Sequence, residues 1–205
     1  MTLYAKWRDT ELPYDAEIEY LESPGYCAIN TNIVPLKSDV TECDFIIRNN
    51  GNTWLFGVSD SWLHNGYSFG YGNVLPDHLR CYFGTGSDGG PTDGCSVAAN
   101  VKTHLKFTDG RIYLDGVLKS DMNNRSYSQT RPLHLFCELR GGNLSEYAAG
   151  GRVLYNFNIQ RNGEYILQMI PVRKDGVGYM YDKVSGQFFG NLGTGNFILG
   201  PDKNS

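Results

Sequence analysis

The stretch Val101 to Lys119, VKTHLKFTDGRIYLDGVLK, decides the fold. Val101, Thr103, Leu105 and Phe107 alternate with Lys102, His104 and Lys106, and a period of two sends one set to each face of an extended strand. Asp109-Gly110 and Asp115-Gly116 follow at short range. An Asp-Gly pair accepts the left-handed backbone that a two-residue hairpin requires, so the stretch predicts an antiparallel meander with one apolar and one wet face.

The same alternation spreads outward in both directions. In VTECDFII, Cys43, Phe45 and Ile47 share one face while Glu42 and Asp44 take the other. HLRCYF sets Leu79, Cys81 and Phe83 against Arg80 and Tyr82. LHLFCEL groups Leu133, Leu135, Cys137 and Leu139, and RVLYNFNI groups Val153, Tyr155, Phe157 and Ile159. Arg161-Asn162-Gly163-Glu164 turns into EYILQMI, and YMYDKVSGQFF reverses at Ser185-Gly186. About a dozen short strands at this spacing predict an all-β fold, two antiparallel sheets stacked as a sandwich, with Cys43, Phe45, Leu105, Phe107, Leu135 and Tyr155 facing inward. No segment holds a helical period.

Composition agrees and removes several classes of function. With 25 Gly in 205 residues and 13% aromatics, strands and turns are favoured over a helical bundle. A net charge of −4 leaves no basic surplus for a phosphate backbone, so nucleic acid is not an expected partner. No apolar run is long enough to insert into a bilayer, and the opening MTLYAKWRDTELP lacks the apolar stretch of a signal peptide. The five cysteines are widely spaced with no C-x-x-C pair, which argues against zinc. Cys43, Cys81 and Cys137 fall on inward positions, so small buried hydrophobes are expected rather than a disulfide network.

Several segments carry a family resemblance. IEYLESPGYCAINTNIVP, Leu55-Phe56-Gly57, THLKFTDGRIYLDGVL, PLHLFCEL, GRVLYNFNIQRNGEYILQMIPVRKDGVGYMYD and VSGQFFGNLGTGNFILGP resemble a bacterial and phage family of concanavalin A-like, laminin G-like sandwich domains, over Ile18 to Pro201. Thr2 to Trp7, TLYAKW, resembles the last strand of an internalin-type B-repeat. The resemblances imply a jelly roll of the concanavalin A-like lectin/glucanase type over residues 16–205, preceded in 1–15 by the remnant of a repeat and a linker. They further imply the end of a multidomain, extracellular cell-surface protein whose export signal lies upstream, with a glycan or surface protein as ligand and no direct membrane insertion. One departure stands out: Asn30-Thr31-Asn32 occupies the turn where the family usually carries an Asp.

Such sandwiches host lectins, adhesion modules, hydrolases and spacers, so function must be argued from a site. Glu42 and Asp44 match the first two acids of a laminarinase-type E-x-D-x-x-E strand, in which two carboxylates divide nucleophile and proton-donor roles. Ile47 and Arg48 stand where the third acid belongs, so a non-enzymatic chain is expected and a glycoside hydrolase ranks third. The four histidines sit in no nucleophile elbow. No cofactor is expected except, at the rim, a calcium ion held by Asp88 and Asp93 in SDGGPTDG, a composition that turns also use. Glycan binding pairs an aromatic platform with amide or carboxylate hydrogen-bonders. Trp62, Asp60, His64, Asn65, Tyr67, Tyr71 and Tyr82 supply that inventory, centred on SDSWLHNG, where Trp62 either stacks on a ligand or packs. The expected role is glycan binding or adhesion, with a purely structural terminal or spacer domain as the alternative.

Overall fold

A computed structural model describes residues 12–49, 54–61, 64–71, 79–85, 95–145 and 147–203, with the Tyr71 side chain also outside the description. Thr2 to Trp7 lie outside it. The described residues form two sheets and no helix. The larger runs from the edge strand Val117–Asp121 through Arg111–Leu114, Thr103–Thr108, Val40–Ile47, Phe157–Arg161, Glu164–Lys174 and Val177–Asp182 to Phe188–Phe189. Arg152–Leu154 continues the line of Phe157–Arg161 beside Val40–Ile47. The smaller sheet centres on Phe56–Ser59, flanked by Gly66–Tyr71 on one side and by His134–Leu135 and Glu138–Arg140 on the other. The fold is thus an all-β, two-sheet jelly roll.

The meander forms as its residues dictate. Leu105 lies opposite Leu114 and Phe107 opposite Ile112, all buried, while His104 and Lys106 on the alternate positions face solvent. Asp109 and Gly110 have φ of 50° and 72°, the left-handed pair that matches a tight hairpin to the strand twist. At Gly110 a Cβ would also meet the Phe83 ring at 2.8 Å, so the turn tucks against the smaller sheet.

Aromatic rings fill the space between the sheets. The Tyr67 ring stacks on Phe107 with centroids 4.3 Å apart, Phe45 meets Phe69 edge-on at 5.5 Å, and Phe56 meets Phe157 at 5.4 Å. Each pair joins one sheet to the other. A hydrogen bond of 2.8 Å between the Thr41 and Tyr67 hydroxyls crosses the same gap, so both polar atoms are satisfied in the dry interior. Burial pushes the Tyr67 phenol well above its ordinary value, keeping it protonated. All five cysteines are buried.

Two of the segments read above as continuous strands are interrupted. LHLFCEL is not continuous: Phe136, buried, has φ of 62° and reverses the chain, so His134–Leu135 runs antiparallel to Phe56–Ser59 and Glu138–Arg140 parallel to it. RVLYNFNI contains an extra residue. From Phe45 to Glu42 is three steps, but their partners Leu154 and Asn158 are four apart, so the chain bulges at Tyr155-Asn156. The bulge flips the phase: Leu154 and Phe157 point into the core, and Tyr155, expected inside, turns outward.

Truncating Phe107 to Ala should cost about 3 to 5 kcal/mol, because its ring is wholly enclosed and the cavity cannot collapse between two sheets. Chemical denaturation with an unshifted midpoint would contradict this packing.

Candidate functional site

The turn between Phe56–Ser59 and Gly66–Tyr71 is a braced structure. The His64 N–H donates to Ser61 O and the Asp60 N–H to His64 O, both at 3.1 Å. Asn65, 5% exposed and left-handed at φ 51°, ties this turn to residues 128–131. Its Nδ2 donates to Asp60 Oδ2 and to Ser128 O, both at 2.8 Å, and its Oδ1 accepts the Ser128 N–H at 2.9 Å. Arg131 Nη1 donates to Asp60 Oδ1 at 2.5 Å. The buried Asn65 therefore spends its amide inside the protein, while Asp60, bonded to Asn65 and Arg131, and His64 are exposed.

The remaining candidates scatter. Tyr67 belongs to the inter-sheet core, and a ring wholly buried on Phe107 presents no surface platform. Tyr82 is buried against Trp54, with centroids 5.1 Å apart. Trp62, Asp88, Asp93 and the side chain of Tyr71 lie outside the described residues. Among the described residues no group of three His, Cys, Asp or Glu side chains is placed to hold a metal ion.

The outer face of the larger sheet brings Asp44, weighed above only as one acid of a hydrolase motif, together with residues that were not singled out as a site. Asp44 lies opposite His104 in the strand register, and its Oδ1 is 2.8 Å from His104 Nδ1. Its Oδ2 is 3.3 Å from Lys102 Nζ. The same Lys102 ammonium stands 4.2 Å from the centre of the Tyr155 ring, a cation-π contact, and Tyr155 meets Tyr20 edge-on at 5.6 Å. The backbone secures the arrangement: the Tyr155 N–H donates to Asp44 O at 3.0 Å, and the Asp44 N–H donates to Asn156 Oδ1 at 3.1 Å. The bulge is what delivers Tyr155 and Asn156 to this face.

Electrostatics fix the ionisation of the strip. Partial burial alone would raise the Asp44 carboxyl, but the His104 hydrogen bond, the Lys102 ammonium and the Asn156 amide outweigh it and hold the group below its ordinary 3.8. Partial burial raises the Tyr155 phenol, so its hydroxyl is a neutral donor and acceptor at physiological pH. Two open depressions flank the strip. One, of about 380 Å³, is lined by Glu19, Lys102, Tyr155, Asn156 and Lys203. The other, of about 430 Å³, is lined by His104, Lys106, Thr108, Tyr113 and Gly116.

Glu42, the other acid of the laminarinase-like pair, shares this face and lies 3.8 Å from Lys106 Nζ. A third carboxylate, Glu138, is enclosed on the smaller sheet at 1% exposure. Ser68 Oγ donates to it at 3.0 Å and Arg140 Nε at 2.9 Å, and burial pushes its carboxyl up in spite of those partners. No signal in LHLFCEL separates Glu138 from an ordinary surface acid.

No family model and no curated protein matches the chain. A solved structure of a native heptameric SAP-like pentraxin from Limulus polyphemus is similar, at 11% identity over 92% of this chain and 96% of that one, with a TM-score of 0.52. That likeness shows the fold, a two-sheet β-sandwich. A NanB sialidase from Streptococcus pneumoniae aligns over 90% of this chain and 39% of its own at 11% identity, but its TM-score of 0.35 is too low to carry weight.

Two outcomes follow from the geometry. By NMR the Asp44 carboxyl should titrate below 3.8 and move back up in His104→Ala, which removes a leading stabiliser of the charged form. Since the folded value is lowered, the stabilisation is complete above the unfolded carboxylate value and is lost as pH falls through the folded one. An unshifted titration would contradict the ion pair. Asn65→Ala should cost about 1 to 3 kcal/mol, because the three hydrogen bonds of the buried Asn65 amide are lost together and alanine is disfavoured at its left-handed φ of 51°. A loss within about 0.5 kcal/mol, as at an ordinary surface site, would show that the brace is idle.

Proposed function

We propose that the chain is a non-enzymatic binding module whose ligand is a glycan, serving adhesion at a cell surface. The observation that carries this reading is the connected outer strip His104, Asp44, Lys102 and Tyr155, with Tyr20 and Asn156 beside it. Sugars present apolar CH faces and hydroxyl rims, and a binding site answers with an aromatic surface ringed by fixed polar groups. Here the half-exposed Tyr155 offers the surface, and side chains already oriented by one another offer the donors and acceptors. Little rotamer entropy is left to lose on binding.

The ion pairs also support a non-catalytic role. Hydrolysis of a glycosidic bond needs a carboxylic acid that is protonated near neutral pH and a second acid facing it. Asp44 is held ionised, and Glu42 two residues away points along the same strand face toward Lys106. An extracellular setting and attachment to further domains belong to this proposal.

A glycan array probed with the full chain tests it. The expected result is a discrete set of bound glycans whose affinity falls about tenfold or more in Tyr155→Ala, as for the truncation of a central aromatic contact. Trp62→Ala should leave binding within about twofold, as for residues outside a contact's centre. The reverse pattern would place the ligand at the Asp60 to Asn65 turn, and the absence of any bound glycan would defeat the proposal.

A further inference from the structure

The two depressions lie on one face, and the Asp44 and His104 pair stands between them: Lys102, bonded to Asp44, lines the first, and His104 lines the second. Each contains one tyrosine, Tyr155 and Tyr113. Their separation follows from the register. Tyr113 is opposite Lys106, Lys106 is opposite Glu42, and Tyr155 flanks Asp44, two residues along the same strand. Three strand spacings give about 14 Å across the sheet, and the two-residue stagger adds about 7 Å along it. A single sugar ring cannot touch both tyrosines.

Charge narrows the ligand further. Every lysine lining the two depressions is already matched: Lys102 by Asp44, Lys106 by Glu42 and Lys203 by Glu17. An anionic ligand would have to take a cation from its carboxylate and leave that carboxylate facing the newcomer. A neutral polyhydroxyl ligand instead accepts from the ammonium groups and donates to the carboxylates without disturbing either.

We infer that these depressions are two subsites of one extended site, running obliquely across the larger sheet from Tyr113 to Tyr155, and that its ligand is a neutral linear oligosaccharide. The inference rests on the glycan-binding reading and deepens it. Tyr113 and Tyr155 stack on non-adjacent sugar units, and the Asp44 and His104 pair hydrogen-bonds the unit between them. Because both tyrosines are half-exposed, neither substitution opens the core.

The test is an array of linear oligosaccharides graded in length from one unit upward, printed in neutral and in uronate-containing series. It is read with the parent protein and with Tyr113→Ala, Tyr155→Ala and the corresponding Phe variants. Circular dichroism and thermal midpoints verify that each variant is folded. The expected result is a signal confined to neutral oligomers beyond the disaccharide, a loss of about tenfold in each Ala variant, and retention of most binding in each Phe variant. Saturation by a monosaccharide, a preference for the uronate series, or a loss in Tyr155→Ala without one in Tyr113→Ala would each overturn the extended site while leaving glycan binding intact. Silence across the whole array would overturn both readings.

Discussion

The stack of Tyr67 on Phe107, with the Tyr67 hydroxyl bonded to Thr41, is the constraint on which the rest of the molecule depends. It joins the two sheets through a dispersion contact and a directional bond at one point. A purely apolar contact would let two sheets slide, since burial has no preferred direction. A buried hydroxyl pair permits one registry only, because any other leaves a polar atom dry and unbonded. Once that registry is set, inward positions on Val40–Ile47 and Thr103–Thr108 are committed to the core. The alternate positions, carrying Glu42, Asp44, His104 and Lys106, are then committed to the opposite face.

The candidate site is therefore a by-product of core packing, plus one defect. Alternation alone would deliver a regular row of charged residues, which is what most solvated sheet faces carry. The bulge at Tyr155-Asn156 changes this row by adding an aromatic ring and an amide beside Asp44. Bulges serve this purpose elsewhere, re-aiming a side chain that the pleat would have buried. Lys102 then couples the ring to the carboxylate, and the strip becomes continuous.

Much of this was legible in the sequence, and the illegible parts share a cause. The strands around Phe45, Phe107 and Ile159 are visible because burial on one face writes a period of two into the residues. A one-residue bulge leaves the letters unchanged and reverses their meaning, so Tyr155 reads as core when it is surface. The reversal at Phe136 is hidden likewise, since a left-handed buried phenylalanine is held by its surroundings rather than by local preference. Tyr67 is different. In GYSF it shares its phase with Phe69, and that alternation already points it inward; its aromatic character as a ligand platform was the weaker signal. Asn65 is recognisable as a turn residue, but the brace it forms to Ser128 spans more of the chain than local sequence can report.

The central claim is that the ligand lies on the outer face of the larger sheet. Its most direct test is chemical-shift mapping of the backbone amides while the domain is titrated with an oligosaccharide that it binds. The account predicts that the largest perturbations fall at Asp44, His104, Tyr113, Tyr155 and Asn156, with His64, Asn65 and Ser128 unmoved. Perturbations confined to the Asp60 to Asn65 turn and residues 128–131, with the outer face silent, would contradict it.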